Sequence, residues 1–407
     1  MPDTHALNVV IAGGGVAAVE AALALRELAG DRVAITLVAP QDDFELRALR
    51  TAEPFAADHV RRRSLRELAD RVGARLVAGT VIAVEPQRHG VRLASGEGLT
   101  YDALLVAVGA RRRPAFARAL TFTGDEPVSP LNGLLADLEQ HWTRSVAFVV
   151  PPGCTWPLPL YELALQTAAH VHAMGIDDVR LRVVSPESAP LGVFGEAASD
   201  AVAELLGSAG VDFAGDTFVS VDDRGHLLDG PLGLPLEEER IVALPLLEGP
   251  SIVGLPAGPR GFIPIDGRGR VVSAEDVWAA GDGTTFPVKQ GGLACQMADA
   301  VAEQLAARAG ADVEPQPFHP VLRGRLLTGR GMELLSRTLP PAGDGSASRP
   351  TLWSAPRKVD GRFLSAWLEE VEGPEAVAPG GEGEAHVDVE VPVSDTWAAE
   401  QPAAERS

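Results

Sequence analysis

The apolar positions at the start of the chain fall into two short runs separated by a longer segment. The first run covers residues 9–12 and leads directly into three glycines, and the second covers residues 33–38. Between them lies an alanine- and leucine-rich stretch that ends at Gly30. Short, wholly apolar runs are typical of buried parallel strands, and the intervening stretch is long enough for a helix. The pattern therefore predicts a strand-helix-strand unit with a right-handed crossover.

The same alternation returns several times further along the chain. Strands are predicted near residues 75–78, 80–85, 90–93, 103–108, 145–150, 179–184 and 276–280, and helices near 158–173, 196–208, 290–308 and 362–369. The run at 145–150 opens a second strand-helix-strand unit. We therefore predict an α/β fold with two Rossmann-like dinucleotide-binding domains, the first of them discontinuous, and a small C-terminal region.

The expected domain boundaries follow these elements and a change in composition near the C-terminus. They are 1–112 for the first part of the first domain, 113–244 for the second domain, 245–315 for the returning part of the first, 316–371 for the C-terminal region and 372–407 for an acidic tail. Residues 369–407 hold 11 acidic residues and one arginine. Such a segment buries too little apolar surface to offset the entropy of ordering, so the tail is predicted to be disordered.

Composition argues against several classes of function. The formal net charge is −21, without the basic or aromatic stripe typical of nucleic-acid binding. No apolar run approaches the ~18 residues of a membrane-spanning helix, and no cleavable leader is evident, so a cytoplasmic location is expected. The two cysteines, Cys154 and Cys295, form no C-x-x-C pair, and the histidines show no ligand spacing. A disulfide scaffold and a metal site are therefore not predicted.

Residues 13–18, Gly-Gly-Gly-Val-Ala-Ala, carry the first motif with chemical content. Their first, third and sixth positions match G-x-G-x-x-A between a predicted strand and a predicted helix. The first glycine permits a tight turn, the second lets a pyrophosphate approach the backbone, and the small third residue lets helix and strand pack closely. Ala39-Pro40 stands where an acidic ribose ligand usually follows the second strand, so either Gln41 or Asp42 reaches the ribose or this contact is missing.

Two later segments complete an ordered set of three motifs. Residues 101–110 read Tyr-Asp-Ala-Leu-Leu-Val-Ala-Val-Gly-Ala, and residues 276–282 read Asp-Val-Trp-Ala-Ala-Gly-Asp. With the N-terminal motif, the chain resembles the two-dinucleotide-binding-domain flavoproteins of the pyridine nucleotide-disulfide oxidoreductase superfamily over residues 8–310. Within that superfamily it is most similar to the sulfide:quinone oxidoreductase and type II NADH dehydrogenase branches.

The resemblance implies that FAD is the cofactor, held between the first motif and the third. The positions that correspond to cofactor contacts are Gly13, Gly15, Ala17, Ala18, Val81, Ala107, Gly109, Gly281, Asp282, Gln290 and Gly291. Asp282 can accept hydrogen bonds from ribityl hydroxyls, and the helix that follows Lys289 would direct its N-terminus at the flavin. Lys289 is open to two interpretations, a catalytic partner of the flavin or acceptor and a solvated surface lysine.

The turn after the strand at 145–150 departs from the nucleotide-binding pattern. It reads Pro-Pro-Gly-Cys-Thr-Trp-Pro over residues 151–157, with Pro151 in place of the first glycine and Trp156 in place of the third. Proline removes an N–H group, and tryptophan prevents close packing of helix on strand. Binding of NAD(P) is therefore doubtful.

The same turn is similar to that of the sulfide oxidoreductases in having Cys154, then Pro157, then Tyr-Glu. This resemblance implies a catalytic thiol at Cys154, whereas the alternative is a small buried hydrophobic residue. Cys295 lies just after the third motif and is not a convincing partner for a redox pair.

The sequence thus leads us to expect an FAD-dependent oxidoreductase that passes electrons from NAD(P)H, sulfide or another thiol to a quinone or other acceptor. The alternative is a non-enzymatic FAD-binding module that senses redox state or binds a partner. Small-molecule donors and acceptors are expected, nucleic acid is not, and a homodimer is compatible with the sequence. If a quinone is the acceptor, Phe363, Trp367 and Leu368 are candidates for peripheral membrane contact.

Overall fold

The computed structural model describes residues 5–55, 60–124, 129–223, 225–230, 233–329, 332–336, 357–373 and 389–390. The first part of the chain forms β1 (Leu7–Ala12), α1 (Val16–Ala29), β2 (Val33–Ala39), β3 (Asp43–Glu45), β4 (Arg62–Ser64), α2 (Leu65–Arg71), β5 (Arg75–Ala78), β6 (Val81–Glu85), β7 (Gly90–Leu93), β8 (Gly98–Thr100) and β9 (Ala103–Val106). Each strand and helix predicted from the apolar pattern in this part is present, to within three residues at its ends.

The middle of the chain forms a second α/β unit. Its elements are β10 (Arg111–Arg113), β11 (Leu120–Thr121), α3 (Ser129–Glu139), β12 (Ser145–Val149), α4 (Leu158–Ala173), β13 (Arg180–Val184), α5 (Glu196–Ser208), β14 (Val211–Ala214), β15 (Ser220–Val221), β16 (Leu227–Asp229), β17 (Leu234–Pro235), β18 (Arg240–Ala243) and β19 (Leu246–Glu248). The remainder forms β20 (Val277–Ala279), α6 (Gly291–Arg308), β21 (Val321–Leu327), β22 (Met332–Ser336), α7 (Leu364–Glu372) and β23 (Val389–Glu390).

Two five-stranded parallel sheets organise the described residues. The first has the order β20-β9-β1-β2-β5, and the second has the order β11-β18-β12-β13-β14. In the first sheet, Ile11 of β1 pairs with Leu37 on one side and Leu105 on the other. Strand β20, more than 160 residues further on, joins the open side of β9 and places Trp278 beside Leu105. The prediction of an α/β fold with a discontinuous first domain is therefore confirmed.

Helices α1 and α6 pack against each other on one face of the first sheet. Both are rich in alanine, and their buried residues include Ala18, Ala21, Ala298 and Ala302. Small side chains let the two helix backbones approach closely while apolar surface is still removed from water. This packing brings the N-termini of both helices to the carboxyl ends of β1 and β20, where ligands of open α/β sheets bind.

The C-terminal region lies on both Rossmann-like domains. Strand β21 runs along α4 of the second domain, whereas α7 docks on the first domain. The Trp367 ring lies 6.1 Å from the Phe44 ring, and Trp367 and Leu368 are buried. These two side chains, which the sequence offered for membrane contact, are thus packed inside the protein. Among the described residues, no helix combines the length and apolar character needed to cross a membrane.

The acidic segment predicted to be disordered lies largely outside the described residues. Its first residue, Glu372, is the last residue of α7 and forms ion pairs with Arg63 at 2.9 Å and Arg357 at 3.1 Å. Glu370, two residues earlier, pairs with Arg71 at 2.6 Å. The folded body therefore includes Glu372, one residue beyond the boundary drawn from composition. The arginines that meet these glutamates belong to the first domain and to the segment before α7.

Candidate functional site

The first βα turn connects β1 to α1 and is shaped by a close backbone approach. Gly13 has φ +133°, and its N–H donates to the Val38 carbonyl at 2.8 Å. A Cβ atom at Gly13 would lie 2.2 Å from the Ala107 carbonyl oxygen. Only glycine combines this dihedral angle with the absence of a side chain, so the sequence signal at Gly13 has a direct steric cause.

Gly15 lies on the other side of the turn and faces open space. It is the N-cap residue of α1, it has no side chain to bond the first N–H groups, and a Cβ atom there would meet nothing within 4 Å. Ala17 and Ala18, in the first turn of α1, are buried. An uncapped helix N-terminus beside an open glycine is the arrangement that accepts phosphate groups. The cradle therefore fits a pyrophosphate.

The second and third motifs converge on this turn. Ala107 and Gly109 follow β9, and a Cβ atom at Gly283, just past the third motif, would lie 2.9 Å from the Gly109 carbonyl oxygen. A Cβ atom at Gly281 would lie 3.3 Å from Cβ of Ala17. The structure thus brings together residues that are up to about 270 positions apart in the chain. It is the strand order, with β9 between β1 and β20, that produces this convergence.

Asp282 directly follows Gly281 and lies at the centre of this convergence. The side chain is half-buried, and it accepts no hydrogen bond from any residue that the structure describes. Burial raises the pKa of the Asp282 carboxyl, and the positive charges of Lys289 and Arg112 oppose that rise. The half-buried carboxylate can therefore accept hydroxyl hydrogen bonds from a ligand.

Lys289 is buried rather than solvated. Its ammonium group lies 4.3 Å from the centroid of the Phe262 ring and donates to the Thr284 carbonyl. Burial lowers the pKa of Lys289 to about 8, with attraction to Asp282 opposing the shift and repulsion from Arg260 adding to it. The interpretation of Lys289 as a solvated surface residue is therefore wrong, and its catalytic role remains a prediction.

The N-terminus of α6 is more closely packed than its sequence indicated. Gln290 caps the helix, since its Oε1 accepts from the Leu293 N–H at 2.8 Å, and its Nε2 donates to the Arg323 carbonyl at 3.1 Å. A Cβ atom at Gly291 would lie 2.9 Å from a Val359 methyl group. The Gln290 side chain is thus committed to protein contacts, and any contact of Gln290 or Gly291 with a cofactor falls to the backbone. Val81, predicted near the adenine, is buried as the first residue of β6.

The second βα turn, residues 151–157, is filled by its own side chains. The Trp156 ring packs against the Phe194 ring at 5.8 Å, and α4 begins after Pro157 without a side-chain cap. Strand β21 closes over the start of α4, because a Cβ atom at Gly324 would lie 2.6 Å from the Phe194 ring and 3.0 Å from Leu158. The Trp156, Phe194 and Leu158 side chains and strand β21 are therefore packed around the start of this helix.

The structure does not bring the two thiols together. Cys154, half-buried in the second turn, lies near Glu187, and burial raises the pKa of its thiol to about 11. Cys295, fully buried on α6, lies near Glu20 and Asp299, and its pKa is also raised by burial. Both thiols are therefore protonated at neutral pH, which is the state expected of small buried residues rather than reactive thiolates. Among the described residues, no group of His, Cys, Asp and Glu side chains could hold a metal ion.

A buried ion pair behind the second turn was missed by sequence reasoning. Glu162 of α4 is fully buried, pairs with the Lys358 ammonium, and accepts hydrogen bonds from Thr51 Oγ1 at 2.8 Å and the Leu327 N–H at 3.0 Å. The signal that could have revealed it is lysine usage, since the chain has 35 basic residues and only two lysines. Both lysines, Lys289 and Lys358, are buried.

One protein family matches the part of the chain that holds the first two motifs. Residues 7–141 match the family described as pyridine nucleotide-disulphide oxidoreductase. The first third of the chain thus carries a domain of this family. The matched range includes the open first turn and ends before the second turn. Comparison with curated proteins gave no match.

Several solved structures are similar in fold to this chain. The sulfide:quinone oxidoreductase from Aquifex aeolicus is 19% identical, with a TM-score of 0.70 over 81% of this chain and 83% of that one. The ferredoxin reductase for the CYP199A2 system of Rhodopseudomonas palustris is 18% identical, with a TM-score of 0.60 over 80% and 81%. The NAD-dependent persulfide reductase from A. fulgidus is 17% identical, with a TM-score of 0.59 over 81% and 63%. At these identities the likeness concerns the fold.

Proposed function

We propose that the protein is an FAD-dependent oxidoreductase that takes electrons from a small reduced donor other than NAD(P)H and passes them to a quinone or another acceptor. The observation that carries the proposal is the contrast between the two βα turns. The first has open space at Gly15 and an unpartnered carboxylate at Asp282, whereas the second is filled by Trp156 and covered by β21. One dinucleotide is accommodated and a second is not.

The residues around the first turn divide the work of holding the cofactor. The N–H groups at the start of α1, beside Gly15, would bind the pyrophosphate, and the Asp282 carboxylate would accept hydrogen bonds from the ribityl chain. Bound FAD supplies the redox chemistry, and the protein supplies binding, orientation and electrostatics. This division explains why the third motif must return to the first sheet through β20.

Lys289 would set the charge at the reacting end of the site. Since its pKa is about 8, its ammonium group is mostly protonated at neutral pH and is close to releasing a proton. A buried cation stabilises negative charge that accumulates beside it, because few water molecules are present to screen it. Lys289 can therefore stabilise a reduced cofactor electrostatically and exchange a proton at its Nζ atom.

The choice of electron donor rests on the second domain, where the start of α4 lacks a cradle for nucleotide phosphates. Pro151, Trp156 and the covering strand β21 leave no phosphate cradle at the start of α4, which argues against NADH and NADPH. The solved structure with a TM-score of 0.70 to this chain is named for the reaction of sulfide with quinone, so sulfide is the first donor to test. The proposal does not require Cys154 as a nucleophile, because its raised pKa keeps the thiol protonated.

The test is anaerobic reduction of the purified protein by NADH, NADPH and sulfide, followed by oxidation with a soluble quinone. We expect sulfide to bleach the flavin absorbance with a rate that saturates, and both nucleotides to react slowly without saturation at millimolar concentration. Cys154→Ser should leave the sulfide rate unchanged. Rapid, saturable reduction by either nucleotide would contradict the proposal. Bound flavin that no donor reduces would favour the non-enzymatic module instead.

A further inference from the structure

A cluster of positive charge lies beside Asp282, where the first domain meets the second turn. Its centre is the buried Phe262 ring, with the Lys289 ammonium 4.3 Å and the Arg260 guanidinium carbon 5.5 Å from the ring centroid. The Phe262 segment is tied to the third motif, because the Ile263 N–H donates to the Gly283 carbonyl at 2.9 Å. In a protein with net charge −21, two cations on one ring at the proposed cofactor site are a local reversal of charge.

Arg260 is held in place by an uncommon backbone conformation. It has φ 55° and ψ 21°, in the left-handed region that residues other than glycine seldom adopt. Its carbonyl accepts from the Gly249 N–H at 2.8 Å, and its guanidinium donates to the Gly153 carbonyl in the second turn at 3.4 Å. Such conformations persist where the surrounding structure enforces them, and they concentrate at ligand clamps and active sites.

The charges of this cluster do not balance. Asp282 attracts both Lys289 and Arg112, while Arg260 repels Lys289. The half-buried Asp282 carboxylate thus lies beside the two cations on the Phe262 ring, of which Lys289 is buried and Arg260 is exposed. Charged groups withdrawn from water are stable when they are paired, so the cluster is suited to an anion.

We propose that Arg260 and Lys289 form a subsite for the anionic group of a small-molecule electron donor. The inference rests on the proposed function and names the chemical class of its donor. A donor that is an anion when reduced, as hydrosulfide or a thiol carboxylate is, is attracted by both cations. A quinone is neutral and gains little from them, so the subsite is assigned to the donor rather than to the acceptor. The hydrogen bond from Arg260 to Gly153 places this subsite against the second domain.

The experiment is a calorimetric titration of the protein as purified with sodium sulfate at low ionic strength. Sulfamide, a neutral molecule of nearly the same shape, is the ligand control. We expect saturable one-site binding of sulfate and none of sulfamide. Arg260→Gln should weaken sulfate binding on the order of tenfold, the loss of one charge-assisted contact. The matched control is Arg88→Gln, because Arg88 is exposed, pairs with Glu85 at 3.5 Å, and lies in the β6–β7 turn.

Three results would overturn the inference. They are the absence of saturable sulfate binding, an equal loss of affinity in both variants, and binding that occurs in flavin-free protein and disappears when FAD is bound. The last result would assign the cations to the cofactor itself. Failure of the proposed function has a different signature, since a purified protein without flavin would contradict it. The sulfate titration of that same protein would still decide whether Arg260 and Lys289 bind an anion.

Discussion

The two βα turns of this protein share a scaffold and differ in what fills them. Each follows a buried central strand of a parallel sheet and leads into a helix, α1 after residues 13–15 and α4 after residues 151–157. At the first turn a Cβ atom on Gly15 would meet nothing within 4 Å. At the second, Trp156 packs on Phe194. The same fold unit thus leaves open space at the helix N-terminus in one domain and packs aromatic side chains there in the other.

The difference teaches that the presence of a Rossmann-like unit does not by itself show that a nucleotide binds there. Binding depends on empty space at the helix N-terminus, and that space is preserved only where residues are small and no other element covers them. In the second domain the space is taken by β21, and the helix behind it is fixed by the Glu162–Lys358 pair. Changes at the first turn should therefore affect the cofactor, and changes at the second should affect stability.

The largest expected effect is a loss of unfolding free energy when the ion pair behind the second βα turn is broken. Lys358→Met leaves the fully buried Glu162 without its counter-charge, and breaking one side of such a pair costs about 3–5 kcal/mol of unfolding free energy. Urea denaturation measures this loss. The double variant Lys358→Met with Glu162→Gln should recover part of it, because no unpaired charge remains. Equal stability of the single variant and the wild type would show that the pair does not hold β21 on α4.

A large effect on the cofactor, without an effect on folding, is expected at the first turn. Gly15→Val puts a branched side chain into the open cradle, so FAD affinity should fall on the order of 100-fold as several hydrogen bonds to phosphate are lost. Flavin content and the dissociation constant measure this. Gly207→Val on α5, also with open space around the Cβ position, is the matched control. Full flavin content in Gly15→Val would remove the functional distinction between the two turns.

A smaller effect on the cofactor is expected at Asp282. Asp282→Ala removes the carboxylate that we expect to accept ribityl hydrogen bonds, and it should weaken FAD binding about tenfold. Asp282→Asn keeps one acceptor oxygen and should lose less. Fluorescence titration of the flavin-free variants gives both constants. An equal loss of affinity in both variants would mean that Asp282 acts through its charge on Lys289 rather than through hydrogen bonds.

The smallest expected effect is a change in how the melting temperature depends on pH, caused by two carboxyl groups behind the first turn. Glu20 of α1 accepts from the Phe363 N–H at 2.9 Å, and it shares a hydrogen bond with Asp299 of α6. Burial, and then the charge of Glu20, raise the pKa of Asp299 to about 9. Because the folded state binds this proton more tightly, its stabilising contribution is complete below about pH 4 and is lost as pH rises to about 9.

Asp299→Asn should therefore flatten the fall in melting temperature between pH 5 and pH 9, by a few degrees, since an amide donates to Glu20 without a titrating proton. Thermal unfolding at a series of pH values measures this. Asp200→Asn, at an exposed carboxylate on α5, is the control and should leave the pH profile as it is. An unchanged profile in Asp299→Asn would show that other groups govern the alkaline loss of stability.

Much of the fold and part of the candidate site could be predicted because they depend on local patterns. The wholly apolar run at 103–108 predicted a fully buried parallel strand, and β9 is buried between β1 and β20. The glycines at 13 and 15 predicted a turn that leaves room for phosphate. The environment of Lys289 was not predictable, because its burial depends on Phe262 and Asp282, which meet it only when the third motif returns to the first sheet.

The sequence by itself determined the order of strands and helices, the open first turn, and the replacement of two of the three motif glycines in the second turn by Pro151 and Trp156. These follow from periodicity, side-chain volume and backbone freedom, which act over a few residues. Only the tertiary structure decided which charges became buried and what covered α4. The pairing of Glu162 with Lys358 spans 196 residues, and the packing of β21 on Leu158 joins two domains. Such contacts form because segments that are far apart in the sequence bury these groups together, so no short stretch of sequence predicts them.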